Sequence, residues 1–335
     1  MKQCLATLEG VADFSNLLNA YYRAKAGKSQ RQPVAEFSLN LEQNLLALQK
    51  CLLTQTYRPS GYETFTIYER KPREIVAAPF VDRVVHHALI AQTEPHFDKQ
   101  FIFDSYACRK DKGVHRAADR YQKWSAIYPY ALKMDISKFF HSIDKNLLIQ
   151  KLEKRVNDQR VIDLFTVIIQ SYKPDQTSGL PIGNVTSQVL ANVYLDDFDH
   201  FIKETLRVKG YLRYVDDFFL LAHSKQELNA YRAEVKNYIA TQSLSVHATK
   251  DILYPTHLGC DVLGYKIWPH RRQLRNDNGF RFRRKLRKLG KKYENNQIEW
   301  PEIHASVRSW IGHAKHGDTL ALRKSIFSEV SFCRG

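Results

Sequence analysis

Cysteine is scarce and irregularly placed in this chain. Among 335 residues there are 5 (Cys4, Cys51, Cys108, Cys260 and Cys333), and none forms a C-x-x-C pair. An odd, scattered set excludes a disulfide framework and a zinc knuckle, and fits a reducing compartment. Histidine supplies no obvious metal motif either: 13 are present, but H-E-x-x-H is absent. His86-His87, His313 and His316 are read as structural or RNA-facing. Long apolar runs are also missing, since none approaches the roughly 18 to 20 residues that span a bilayer. The N-terminal stretch MKQCLATLEGVADF places an acid, Glu9, where a secretory signal needs its apolar segment. No membrane partner is expected, and the cytoplasm is the default location. Internal repeats, low-complexity tracts and flexible linkers are absent as well.

Negative charge is in deficit. Against 51 Lys and Arg stand only 35 Asp and Glu, a formal charge of +16 and a pI near 9.5. Such a surface attracts polyanions, of which nucleic acid is the commonest soluble one. The excess is uneven: from Lys266 to Lys292 there are 12 basic residues and a single acid, Asp277. Aromatics (Tyr265, Trp268, Phe280, Phe282, Tyr293) are interleaved with them. That combination reads as a surface following a phosphate backbone, with a solvated basic helix as the plainer alternative.

Hydrophobic periodicity predicts helices and strands without a regular βαβ rhythm, which favours an α+β architecture. Residues 13–58 read as helical, with LEQNLLALQKCLL (41–53) strongly amphipathic. Residues 62–80 read as a hairpin turning near Lys71-Pro72, followed by a helix over VDRVVHHALIAQTEPHF. YALKMDISKFF (130–140) reads as a strand entering a turn, and IDKNLLIQKLEKRV as a helix with Asp144 at its N-cap. Further helices are predicted at about 161–171, after a Gly/Pro loop with Asn184 or Thr186 as cap, and at 226–241. LSVHATKDILY reads as a strand and CDVLGYKIWPH as a second hairpin. The tail from about 276 reads as basic and helical.

One hairpin is unusual. LRYVDDFFLLA (212–222) sets Asp216 and Asp217 side by side between apolar runs, where like charges repel. Asp is a common turn residue, so the pair alone is weak evidence. A third acid changes the reading: Asp135 ends the apolar run ALKM, and an unpaired charge in a buried strand is costly. A divalent cation shared by Asp135, Asp216 and Asp217 would satisfy all three. Three carboxylates in a basic protein suggest two Mg²⁺ ions, roughly 3.5 to 4 Å apart, acting on a phosphate ester, with Mn²⁺ as a substitute.

The ordered series MDISKFF, GLPIGNVTSQVLANVYL, YVDD and CDVLGYKI resembles the palm motifs of reverse transcriptases. The resemblance runs from about residue 35 to the tail. It implies a right-hand polymerase fold, α+β, with fingers, a palm of antiparallel sheet packed on helices, and a helical thumb. On this reading residues 1–45 form an N-terminal helical extension, 46–268 the fingers and palm, and 269–335 the basic thumb. It implies that Asp135, Asp216 and Asp217 are catalytic and, with Ile136, hold the metals. Arg73 would grip the incoming deoxynucleoside triphosphate through its forked donors. Phe140, beside Phe139, falls at the steric-gate position that selects deoxyribose. Ile182 and Gly183 lie in the loop supporting the nascent base pair, and Lys250 matches a lysine assisting pyrophosphate departure. Leu263, Gly264 and Tyr265 match the primer-grip turn. Arg271, Arg272, Arg283, Arg284, Lys285, Arg287 and Lys288 would follow the backbone of a template–primer duplex.

The loop before the long helix departs from the P-Q-G of retroviral and intron-encoded enzymes, reading Leu180-Pro181-Ile182-Gly183. In this respect, and in ERKPREIVAAPFVDRVVHHAL, SYACRKDKGVH and SWIGHAKHGD, the chain resembles reverse transcriptases of diversity-generating retroelements. That subtype implies a bacterial or phage-encoded enzyme that copies a structured template RNA into cDNA with errors at adenines. It also implies a small, basic, oligomeric accessory protein. An apolar Ile182, where glutamine would hydrogen-bond, gives a physical route to low fidelity. A retron-type, intron-derived or defence-type reverse transcriptase, and an inactive RNA-binding scaffold of the same fold, remain the alternatives.

Overall fold

The computed structural model describes residues 4–68, 72–173 and 175–334. Four N-terminal helices come first: α1 (Leu8–Ala12), α2 (Phe14–Lys25), α3 (Gln32–Leu39) and α4 (Leu41–Leu53). The expected helical stretch is thus broken, with Gly27 at φ 68° closing α2. α1 and α2 start where Thr7 and Asp13 accept main-chain N–H groups through their side chains. An antiparallel hairpin follows, β1 (Glu63–Tyr68) and β2 (Pro72–Ala77), in which Tyr68 pairs with Pro72. Its turn includes Lys71 and lies outside the described residues.

Next come α5 (Phe80–Asp98), α6 (Val114–Ile127), β3 (Tyr130–Asp135), the short α7 (Phe139–Ser142), α8 (Lys145–Glu153), α9 (Gln159–Ser171) and α10 (Val185–His200). Asp144 caps α8 as expected, accepting from Leu147 N. Asn184 occupies the N-cap position of α10 but its side chain bonds elsewhere. The chain continues through β4 (Gly210–Tyr214), β5 (Asp217–Ala222), α11 (Lys225–Thr241), β6 (Ile252–Pro255), β7 (Cys260–Val262), β8 (Tyr265–Ile267) and β9 (Arg272–Leu274). It ends in α12 (Asn276–Glu294), α13 (Trp300–Ala314) and α14 (Leu320–Ser328). The result is the mixed helix-and-sheet architecture expected, with antiparallel sheets.

The central sheet has the order β4-β5-β3-β6, every neighbouring pair antiparallel. Both of its faces are covered, which explains why FFLLA is apolar at every position rather than at alternate ones. Phe218, Leu220 and Ala222 of β5, with Leu132 and Met134 of β3, face a core built with α2, α5 and α8 to α11. Phe219, Leu221, Ala131 and Leu212 face the opposite way, into a core shared with α6, β7 to β9 and α12 to α14. Each buried Phe or Leu contributes roughly 1.5 to 3 kcal/mol of burial free energy.

A boundary after residue 45 falls inside α4, and one after 268 falls between β8 and its partner β9. The N-terminal helices share the core of the central sheet, so packing continues across the first point, and the β8–β9 ladder continues across the second. Two of the aromatics among the basic residues are internal: Phe282 stacks on Trp310 at 4.1 Å, and Tyr265 is buried, whereas Trp268 and Tyr293 are half-buried and Phe280 is exposed. His86 is structural. Both its ring nitrogens are buried without a partner, and burial, aided by His87 and Arg83, pushes its pKa down to about 3. Among the described residues no helix is long and apolar enough to cross a membrane.

Candidate active site

The antiparallel register brings the three aspartates together. Asp135, the last residue of β3, pairs with Asp217, the first of β5. Tyr214 pairs with Asp217, leaving Val215 and Asp216 as a two-residue turn between β4 and β5. Val215 has φ 57°, a region that β-branched residues seldom enter. The tip is stitched to β3, because Ile136 N donates to Asp216 O at 3.1 Å. His247 N donates to Asp135 O at 2.8 Å from the far side.

The electrostatics of this tip are unfavourable to three bare carboxylates. Asp135 is only 4% exposed. Burial, then the Asp135 charge, raises Asp216 above the usual carboxylate range. Burial first, opposed by Lys133 and reinforced by Asp216 and Asp135, raises Asp217 to about 6. One ammonium answers them directly: Lys250 Nζ lies 2.6 Å from Asp135 Oδ2. Burial works against that ammonium, yet its hydrogen bond to Asp135 and the surrounding carboxylates raise its pKa overall. Lys133, on the same sheet face, donates to Asp261 O at 2.8 Å.

Among the described residues no three His, Cys, Asp or Glu side chains converge as a protein-only metal cage. The donor set nonetheless suits a small hard cation that takes one or two carboxylates and completes its shell with water and substrate oxygens. The charge surplus held off by burial and by Lys250 is the observation behind that fit.

Around the tip lie the other predicted residues. Lys138 takes a left-handed φ of 45° and starts α7. Phe139 is buried in the core, while Phe140 is half-buried with its ring 5.5 Å from that of Phe139. The loop before α10 is tied to β2: Val76 N donates to Ile182 O at 2.9 Å. Asn184 adds two bonds, accepting from Ala78 N at 3.0 Å and donating to Val76 O at 2.8 Å. Gly183 has φ 116°, and a Cβ there would meet Ile75 Cγ2 at 2.9 Å, so only glycine fits between loop and strand. Arg73, exposed on β2, is among the charges that lower Asp216. β2, the loop and the acidic tip are thereby one neighbourhood.

Several predicted contacts with nucleic acid need correction. The Tyr265 side chain is fully buried; its hydroxyl donates to His313 O at 2.8 Å and lies within 3.0 Å of His115 Nδ1. Only Leu263 and Gly264 present their turn to the surroundings, at φ 49° and 94°. Arg272 is buried at 8% exposure, pairing with Asp119 at 2.8 Å and Gln122 Oε1 at 2.9 Å, so it braces β9 against α6. Arg283 and Arg287 both bind Glu329, at 3.1 and 3.0 Å, joining α12 to the chain just past α14. Arg271, Arg284, Lys285 and Lys288 are exposed. His316 stacks on His115 at 3.6 Å, which accounts for part of the histidine-rich tail.

Residues that sequence reading passed over are Lys133, Asn184 as a clamp, and Arg213 with Asp199. Arg213 and Asp199 are wholly buried and pair at 2.6 Å. No spacing signal marks them, because one stands on a strand and the other on a helix.

Comparison with known proteins agrees with this geometry. The chain matches the family Reverse transcriptase (RNA-dependent DNA polymerase) over residues 67–267. It is 23% identical to Protein YkfC of Escherichia coli (strain K12) over 237 residues, 56% of this chain and 60% of that protein. It is 23% identical to the group II intron-encoded protein LtrA of Lactococcus lactis subsp. cremoris over 170 residues, 48% of this chain and 28% of that one. Nuclear intron maturase 1, mitochondrial, of Arabidopsis thaliana is 31% identical over 85 residues, 25% of this chain and 12% of that protein. The chain therefore spans 60% of the first relative and less than a third of the other two. With more than half of its residues inside the matched family, and the aspartates of its two hallmark strands face to face, this chain belongs to the reverse transcriptase family.

Proposed function

We propose that the protein is an RNA-directed DNA polymerase, transferring a deoxynucleotide from its triphosphate to a primer 3′-hydroxyl and releasing pyrophosphate. The observation that carries this reading is the pairing of Asp135 with Asp217 beneath the Asp216 turn. In this reading the β4-β5-β3-β6 sheet is the palm, the β1–β2 hairpin belongs to the fingers, and α12 to α14 form the thumb. Asp135, Asp216, Asp217 and the Ile136 main chain would hold two Mg²⁺ ions, or Mn²⁺. When bound, these ions would supply Lewis-acid stabilisation of the attacking and leaving oxygens. Arg73 would hold the triphosphate near Asp216, and the half-buried Phe140 ring would act as the gate that rejects a ribose 2′-hydroxyl. Lys250, now on Asp135, is free to turn to the departing pyrophosphate once that carboxylate is otherwise engaged. Exposed Arg271, Arg284, Lys285 and Lys288 neutralise the phosphates of the RNA–cDNA duplex.

Within this class the finer reading is a diversity-generating enzyme working in the cytoplasm with a small basic accessory protein. Its support is Ile182, whose main chain is fixed by Val76 but whose side chain offers no polar contact to a nascent base pair. The Lactococcus relative, a group II intron-encoded protein, favours a second reading in which the template is an intron RNA.

The test is incorporation of dNTPs on an RNA template with Mg²⁺. Asp216→Ala should lower the rate at least about a thousandfold, or about 4 kcal/mol of barrier. Equal signal from both proteins, or none from either with RNA and accessory protein supplied, would leave an RNA-binding scaffold. Sequencing the same products separates the two finer readings: errors concentrated opposite adenines favour diversification, and an even spectrum favours the intron type.

A further inference from the structure

Among the described residues two arginines are buried almost completely, Arg155 and Arg213, and they are used differently. Arg155 bridges α8 to α10 through Asp196 and Asp197 and leaves its Nε without an acceptor. In Arg213 every N–H of the guanidinium has one. Nε and Nη2 fork onto Asp199 at 2.8 and 2.6 Å. Nη2 also donates to Ser105 Oγ at 3.3 Å, and Nη1 to Asn192 Oδ1 at 3.2 Å. The remaining bond runs from Nη1 to Val215 O at 3.0 Å, which is the carbonyl of the strained turn residue.

We infer that Arg213 is a positioning residue that fixes the carboxylate of Asp216 by clamping the Val215–Asp216 peptide from beneath; this rests on the polymerase reading for its catalytic consequence. The Val215 carbonyl and the Asp216 N–H belong to one planar unit, so holding the oxygen fixes the plane from which the Asp216 chain departs. Ile136 N holds the next carbonyl, that of Asp216. Two successive peptides of the turn are thus anchored on opposite sides, one by the buried fork and one by β3. Such anchoring is what a β-branched residue at positive φ requires if the turn is to keep a single shape.

The clamp is itself rigidly mounted. Asp199 on α10 also accepts from Tyr211 OH at 2.6 Å. Asn192, two turns earlier on the same face of α10, donates to Ala107 O at 2.9 Å. The strand-like segment at Ser105 lies beside β4, with Arg213 N donating to Asp104 O and Tyr106 N to Arg213 O, both at 3.0 Å. A buried ion pair is weak evidence for stability, since hydrocarbon of similar volume serves as well. Its geometric specificity, a planar fork with directed donors, is what lysine or leucine cannot reproduce.

Arg213→Lys and Arg155→Lys are compared with wild type by single-nucleotide extension, by thermal melting, and by hydrogen–deuterium exchange of the peptide spanning 211–219. Both variants should melt a few degrees lower. Only Arg213→Lys should lose about a hundredfold in kcat, with KM for dNTP changed less than threefold, and exchange faster at the turn. A folded Arg213→Lys with wild-type kcat and wild-type exchange overturns the inference. So does an equal loss of kcat in Arg155→Lys, which would make the effect one of general stability. Should Arg213→Lys fail to fold, Asp199→Leu/Tyr211→Phe/Arg213→Met replaces the network with hydrocarbon, and the same readings apply. Wild type that extends no primer sinks the polymerase reading, yet turn exchange still decides whether the clamp holds.

Discussion

Among the described residues two hairpins reverse direction in two residues, and they solve the turn differently. Between β7 and β8 the turn is Leu263-Gly264, with φ 49° and 94°. Between β4 and β5 it is Val215-Asp216, with the positive φ placed on a β-branched residue. Glycine takes such angles without steric cost, whereas a side chain pays about 1 to 2 kcal/mol, a cost carried by Leu263 in the first turn and by the β-branched Val215 in the second. The glycine turn is held by Arg275 N donating to Gly264 O at 3.1 Å and by the His115–Tyr265–His313 cluster behind it. The valine turn is held by a buried guanidinium and by β3. The difference follows from what each turn presents. Leu263-Gly264 offers a backbone that a neighbour can approach closely; Val215-Asp216 offers a charged side chain whose direction matters.

The largest contrast between the two turns is in their pH response. Asp217 has its folded pKa raised to about 6, from an ordinary value of 3.8, by burial and its acidic neighbours. Its protonated form therefore stabilises the fold fully below about pH 4, and that contribution is lost as the pH rises through about 6. Metal-free protein should lose on the order of 2 kcal/mol of stability across this window. Asp217→Asn should remove the loss, melting higher than wild type at pH 7.5 in chelator and about equally at pH 4. Melting curves at both pH values check this, and a variant that keeps the wild-type decline between pH 4 and 6 would place its origin elsewhere. Substitutions in the Leu263-Gly264 turn should leave the decline unchanged.

A smaller effect tests the glycine. A Cβ at Gly264 would lie 3.5 Å from His313 Nε2, ordinary contact, so the strain in Gly264→Ala comes from φ and not from crowding. The expected destabilisation is about 1 to 2 kcal/mol. Affinity for a template–primer duplex should fall more than the single-turnover rate does, because this turn contributes no carboxylate to the proposed site. Filter binding and rapid-quench extension separate the two, and a rate loss larger than the affinity loss would erase the proposed division of labour.

These two turns also mark how far the sequence could be read. That Asp135 would meet the Asp216-Asp217 tip was legible because an acid in an apolar strand is a local signal. The helix at 41–53 and the Asp144 cap were legible for the same reason. What was hidden depends on which residues the fold brings together. Arg213 looks in sequence like any strand arginine, and its partner Asp199 is recognisable only once α10 lies under β4. Tyr265 and Arg272 share the composition of a nucleic-acid surface, yet the covered second face of the sheet draws both inside. Lys250 was placed by its position after the hairpin, but its bond to Asp135 arises from the bridge between Ile136 and Val246.

The smallest expected stability change belongs to Val215→Gly, and it bears most directly on why a valine stands there. Glycine would relieve about 1 to 2 kcal/mol of positive-φ strain. Against this, the half-buried Val215 side chain packs on the larger core, and burial of that size is worth roughly 1 kcal/mol. Glycine also gives the unfolded chain more freedom, costing a further 0.4 to 1 kcal/mol or so. The terms nearly cancel, so the melting temperature should move by no more than a couple of degrees. Catalysis should not be so forgiving. A glycine at this position widens the range of peptide orientations ahead of Asp216, and the extension rate should fall several-fold while dNTP affinity holds. If both stability and rate are unchanged, a glycine turn serves this hairpin as well as it serves β7–β8, and the strained valine has no positional role.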